Sequence, residues 1–197
     1  MSFIFKFSLR LLKQIFFLII AVTAAISAAH ATEQSVTVIV SDRSAPTLVA
    51  GAHQLLQQQA DAKIQIRTVS QLNSLNDNDL QQLLDNSGSL LIVGVFGDAV
   101  ERLLSRQYQL KQKRYVLHSD QRLIQLNSDP VAEFIPEQVL SDKTSLSSAE
   151  MLQAKQDKYP AYQNWLQARA YWVNRSTENA RNLLDMLLSD GSRIAEM

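Results

Sequence analysis

Two short segments concentrate the side chains able to do chemistry. Ser41-Asp42-Arg43-Ser44 offers two hydroxyls, a carboxylate and a guanidinium directly after an apolar, β-branched run, Val36–Val40. Gly94-Val95-Phe96-Gly97-Asp98 offers backbone freedom and a carboxylate at the end of a second such run. A helical pattern follows each segment. Polar groups there would stand beside a helix N-terminus, whose free N–H groups favour an anion. The candidate ligand-binding residues are therefore Ser41, Asp42, Arg43, Gly94, Gly97 and Asp98. The same residue types also serve as ordinary turn and cap residues, and both readings stand at this level.

Motifs for catalysis are missing. Neither the dinucleotide fingerprint G-x-G-x-x-G nor the Walker loop occurs, and Gly94-x-x-Gly97 alone is no substitute. No serine sits in a G-x-S-x-G elbow. The absence of cysteine excludes thiolate zinc sites, iron–sulfur clusters, cysteine nucleophiles and disulfides. His53 falls within a helical pattern and His118 ends a strand pattern. Neither has a second histidine or a carboxylate at metal-ligand spacing, so no metal site is expected. With no nucleophile–base pair in view, no catalytic residue is assigned and a hydrolase is disfavoured. Tyr159, Tyr162, Trp165, Tyr171 and Trp172 crowd into one short stretch, which suits either a helix–helix core or a docking face.

The elements that must position these residues follow from periodicity. Val36–Val40, Ala62–Val69 and Ser89–Phe96 read as strands; the last is apolar throughout, as in a central strand covered on both faces. Tyr115–His118 and Leu123–Leu126 are shorter strand patterns. Pro46–Gln59 is an amphipathic helix with proline in its first turn. Asp77 or Asn78 would cap a helix carrying Leu80, Leu83 and Leu84, and Gly97-Asp98 would open another. This alternation predicts an α/β fold: a flavodoxin-like or Rossmann-like parallel sheet with helices on both faces, over residues 32–128. Residues 129–148, with Pro130 and Pro136, read as a linker. Residues 149–190 return to helical spacing, with Leu183, Leu184, Leu187 and Leu188 on one stripe, and predict a C-terminal helical hairpin. Residues 191–197 fit no pattern and read as an atypical tail.

Net charge is zero over the whole chain, which disfavours nucleic acid as a partner. The balance is uneven. Residues 1–31 hold Lys6, Arg10 and Lys13 and no acid; the rest carries 16 basic and 19 acidic side chains. A basic start, the uncharged run Ile15–Ala29 and the site Ala29-His30-Ala31 read together as an export signal cleaved after Ala31. The apolar run is shorter than the ~20 residues that span a bilayer. A periplasmic location is expected, with membrane anchoring by residues 1–29 as the alternative.

Ala168-Arg169-Ala170-Tyr171-Trp172, followed by Glu178-Asn179-Ala180-Arg181-Asn182-Leu183-Leu184, resembles the "YW … EN … NLL" segment of the large subunits of cobaltochelatase and magnesium chelatase. Tyr171, Trp172, Glu178, Asn179, Asn182 and Leu183 carry the resemblance. Asn174-Arg175-Ser176-Thr177 stands where that family has a glycine-rich link. The resemblance implies the N-terminal part of a chelatase-like protein, concerned with tetrapyrrole binding and the insertion of cobalt or magnesium, in cobalamin biosynthesis for the cobalt case. It implies ATP on partner subunits and a catalytic body beyond this chain, so that this chain alone would not catalyse. It also implies that the leucine stripe keeps an uncovered apolar face for the missing body. The alternative from the residues themselves is a periplasmic α/β module that binds a small ligand at the strand ends.

The export signal has a direct check. N-terminal sequencing of the exported product should begin at Thr32, and a membrane-bound product beginning at Met1 or Ser2 would refute cleavage.

Overall fold

The computed structural model describes residues 35–128 and 149–195. Four strands, β1 (Ser35–Val40), β2 (Lys63–Thr68), β3 (Ser89–Val93) and β4 (Lys113–Leu117), form one sheet in the order β2-β1-β3-β4. All three pairings are parallel, with Val38 opposite Ile66 on one side and Leu91 on the other, and Leu91 opposite Tyr115. This is the order of a flavodoxin-like doubly wound sheet. The central strands β1 and β3 are buried almost along their whole length, as their unbroken apolar runs require.

Among the described residues, eight helices surround the sheet: α1 (Ala45–Gln58), α2 (Val69–Ser74), α3 (Asp77–Asp85), α4 (Asp98–Leu104), α5 (Gln121–Ile124), α6 (Ala149–Lys158), α7 (Gln163–Val173) and α8 (Thr177–Ala195). Alternation along each strand sends side chains to opposite faces. Val36, Val38, Val40, Leu91, Val93 and Leu117 share one core with α1, α7 and α8. Ile39, Leu90, Ile92 and Val116 share the other with α2 to α5.

The leucine stripe of α8 corrects an expectation. Leu183, Leu184, Leu187 and Leu188 are all buried, so these four leucines leave no uncovered apolar face. They pack on α1 and the sheet, because the first core has only α1 from the N-terminal half to cover it. Burial contributes roughly 1.5–3 kcal/mol for each leucine. Polar ties fix the register: the Ser89 hydroxyl donates to the Leu187 carbonyl at 2.9 Å and Gln59 Nε2 to Asp185 Oδ1 at 2.7 Å. Tyr115 donates its phenolic proton to Asp190.

Other departures are local. Leu123–Leu126, expected as a strand, lies in and just after α5. Asp120 accepts from the Arg122 N–H at 3.0 Å, and the three-residue spacing of Leu123 and Leu126 buries both on one side. A four-residue apolar pattern fits both periods, so the cap decides. Helix α2 was not expected, although Thr68 and Gln71 form a capping box that the sequence displays. The cap of α3 is Asn76, one residue before the expected pair. The backbone of α8 continues through Gly191 to Ala195. The signal at 1–31 and the linker at 129–148 lie outside the described residues.

The free edge of β4 is closed by side chains. Val116 N–H donates to Asn127 Oδ1 at 2.7 Å, and Val116 carbonyl accepts from Trp165 Nε1 at 3.0 Å. Arg114 N–H donates to Ser128 Oγ at 2.8 Å, and its carbonyl accepts from Ser128 N–H at 3.0 Å. These contacts occupy the place where a further strand would pair.

Gly51 sets how closely α1 and α8 approach. A Cβ there would stand 2.7 Å from both Ala180 Cβ and the Arg181 nitrogen. Alanine would gain ~1 kcal/mol in helix propensity. The clash with a backbone atom should outweigh it, since overpacking costs ~1–3 kcal/mol. Gly51→Ala should therefore lower stability in chemical denaturation; an increase would place the helices further apart than described.

Candidate functional site

Polar groups gather at the carboxyl end of the sheet, where the order in which strands are added reverses between β1 and β3 and ligands bind in folds of this type. Ser41 and Gly94 end the two strands side by side. Ser41 N–H donates to the Val93 carbonyl at 3.3 Å. Gly94 adopts φ +66°, and a Cβ on it would meet Ser41 Oγ at 3.1 Å, so glycine serves both conformation and approach. Gly94 N–H in turn donates to the His118 carbonyl at 3.0 Å. Val95 N–H donates to Ser119 Oγ at 3.2 Å, which ties the β3 loop to the β4 loop.

The other candidates diverge from this pair. Asp42 Oδ2 accepts from Ser70 N–H at 3.3 Å. A hydrogen bond from the Thr68 side chain, chiefly, holds the Asp42 carboxyl below the usual carboxylate range. Asp42 thus anchors the β1 loop to the end of β2. Gly97 and Asp98 start α4 on the opposite face and are exposed. Arg43 turns toward the C-terminal helices, where it lines a small cavity of about 90 Å³ with Ser44, Thr47, Tyr171, Trp172 and Arg175.

A larger cavity of about 360 Å³ adjoins it, sharing Trp172 and Arg175. Its wall comes from the end of β4 (Val116, His118, Ser119), from Ile124, and from α7 and the turn after it (Trp165, Arg169, Val173). The Arg175 guanidinium stacks over the Trp172 ring at 4.9 Å. His118 has φ +44° and meets Phe96 edge-on at 6.4 Å between ring centroids. Phe96 and Val173, both half-exposed, add apolar surface near the mouth. Arg43, Arg169 and Arg175 line the two cavities, and among the described residues no carboxylate lines either. The pair is a crevice of positive potential on a chain that is acidic after residue 31.

Of the six loop residues expected at a site, Arg43 lines the smaller of these two cavities and the other five line neither. The residues that carry the chelatase resemblance are closer to them. Trp172 lines both cavities, and Tyr171 and Leu183 line the smaller. Asn179 builds the turn into α8: its N–H donates to Ser176 Oγ at 3.0 Å and its side-chain amide to the Asn174 carbonyl. Glu178 is exposed in the first turn of α8, and Asn182 accepts from Arg181 at 2.8 Å. His118, Ser119, Trp165, Arg169 and Arg175 were not assigned from sequence. Their signal was two arginines bracketing Tyr171-Trp172, six residues apart.

No protein-family model matches the chain, and no curated protein matches its sequence. Among the described residues, no group of histidine and carboxylate side chains is placed to hold a metal ion. None of their helices is long and apolar enough to cross a membrane.

The Asp42 anchor has a pH signature. Its carboxyl is depressed in the folded state, so its contribution is present above the unfolded value of about 3.9 and is lost as pH falls through the folded value. Asp42→Asn should flatten the fall in stability between about pH 5 and pH 2, measured by denaturation at stepped pH. An unchanged acid limb would mean that Asp42 is not bonded to Thr68 and Ser70.

Proposed function

We propose that this chain is a small-ligand-binding α/β module and that the crevice at the carboxyl end of its sheet is the binding site. The observation that carries this reading is the larger cavity. It lies at the end of β4, lined by aromatic and aliphatic side chains with a few convergent cationic groups, the usual make-up of a small-molecule site. Catalysis is not part of the proposal, since no nucleophile is paired with a base among the described residues of the wall.

A second reading joins the first. The chain would be the N-terminal module of an exported, chelatase-like protein, with a tetrapyrrole as the ligand class and ATP-driven metal insertion left to partner subunits. Its support is that Tyr171, Trp172 and Leu183, which carry the resemblance, wall the crevice instead of lying elsewhere on the surface. The Asn174–Thr177 turn, which departs from that family, supplies Arg175 to both cavities.

Amide chemical shifts of the isotope-labelled chain beginning at Thr32 test both readings. A mixed set of small organic compounds and carboxylated tetrapyrroles would be titrated in turn. A ligand should perturb residues 41–44, 94–98, 118–120 and 165–176 together. Saturable shifts confined to another surface, or no binding by any compound, would overturn the assignment of the crevice. Binding by small compounds but by no tetrapyrrole would overturn the second reading alone.

A further inference from the structure

Arg169 differs from three other half-buried arginines, Arg102, Arg106 and Arg114. Arg102 donates to the Leu72 and Leu75 carbonyls at 2.6 and 2.8 Å. Arg106 pairs with Asp77 at 2.8 Å. Arg114 donates to the carbonyls of Leu110, Gln112 and Leu126. Arg169 sits at similar depth in the wall of the larger cavity, with no hydrogen bond or ion pair to any described residue. Burial alone pulls its pKa downward, with no compensating partner. A guanidinium remains charged at neutral pH regardless, so its donors are held partly out of water with no acceptor among the described residues to meet them.

The rest of the wall narrows what could meet them. The Trp165 N–H is already given to the Val116 carbonyl, and Ser119 Oγ donates to the Leu117 carbonyl at 3.1 Å while accepting from Val95 N–H. Among the described residues, the remaining polar groups in the wall are the Arg169 and Arg175 guanidinia and the exposed His118 ring. Arginine offers donors only, in a planar fork that fits two oxygens of one carboxylate or phosphate. The other wall residues, Val116, Ile124, Trp165, Trp172 and Val173, offer apolar surface. A volume of about 360 Å³ is at the small end of the roughly 300–1,000 Å³ usual for ligand sites.

We propose that the larger cavity takes a small organic oxyanion, a carboxylate or phosphate carried on an apolar body, with Arg169 as the main contact for the charge and Arg175 as the second. The proposal rests on the reading of the crevice as a ligand site and adds the chemical class of the ligand. The apolar body lies against Ile124, Trp165 and Val173.

The chain's two tryptophans, Trp165 and Trp172, both line this cavity, so intrinsic fluorescence reports its occupancy. The chain beginning at Thr32 would be titrated with benzoate, phenyl phosphate, inorganic phosphate and the neutral benzyl alcohol. Benzoate or phenyl phosphate should saturate the signal at lower concentration than either inorganic phosphate or benzyl alcohol; whichever binds tighter identifies the oxyanion. Arg169→Gln should weaken that binding about tenfold or more, Arg169→Lys less, and the melting temperature should hold or rise. A fall in melting temperature with unchanged affinity would make Arg169 a structural cation and overturn the proposal. Should Arg169→Gln fail to fold, the exposed Arg175→Gln variant decides, with a smaller loss of affinity expected and no loss refuting the assignment. Benzyl alcohol binding as tightly as the anions would overturn the ligand class while leaving the crevice as a site. No saturable response to any of the four overturns this proposal, and the amide-shift titration with larger ligands then judges the crevice separately.

Discussion

The seating of α8 against α1 and the sheet is the contact on which the rest of this structure depends. A parallel sheet with apolar runs on its central strands must be covered on both faces, and the segments between the strands supply most of their helices to one face only. Helices α2 to α5 pack there, while α1 alone is left on the other. The leucines of α8 complete the second core, and Gly51 allows the two helices to meet without a side chain between them. Four side chains that read as a surface awaiting a partner are therefore an interior. The C-terminal helices belong to the same core as the strands that precede them by a hundred residues.

The same packing produces the crevice. Seating α8 brings α7 and its following turn to the carboxyl end of β4, where Trp165 donates to the Val116 carbonyl. That bond serves two purposes. It satisfies an edge carbonyl that would otherwise be open to another strand, and it fixes the ring as a cavity wall. Asn127 and Ser128 close the rest of the edge. An edge closed by side chains leaves room above β4 for a cavity that another strand and its loop would have filled.

Charge in the crevice is arranged by position more than by number. Two arginines act as internal clamps: Arg102 satisfies carbonyls at the end of α2, and Arg114 gathers three carbonyls around the start of β4. These commitments cost little, because each buried donor finds an acceptor. Arg169 lies in the last turns of α7 and Arg175 in the turn that follows, with no carboxylate among the described residues that line their cavity. The difference between a clamp and a binding group is thus the presence of an internal acceptor within reach.

Sequence alone determined the parallel α/β class, because unbroken apolar strands alternating with amphipathic helices admit few other layouts. It located β1, β3, α1 and α4 closely, since long periodic runs bounded by proline, glycine or serine leave little freedom. It misread Leu123–Leu126, where four residues fit two periods and the Asp120 cap made the choice. It placed candidate chemistry at the ends of β1 and β3, and the structure does bring Ser41 and Gly94 together there. Only the tertiary structure decided that the arginine-lined cavities form between β4, the α1 N-terminus and the turn after α7. That outcome depends on which helix covers which face, a choice made by competition for buried area among segments far apart in the chain. The spacing of Arg169 and Arg175 about Tyr171-Trp172 is a weak signal of it, because whether a guanidinium finds an internal partner depends on what distant residues place beside it.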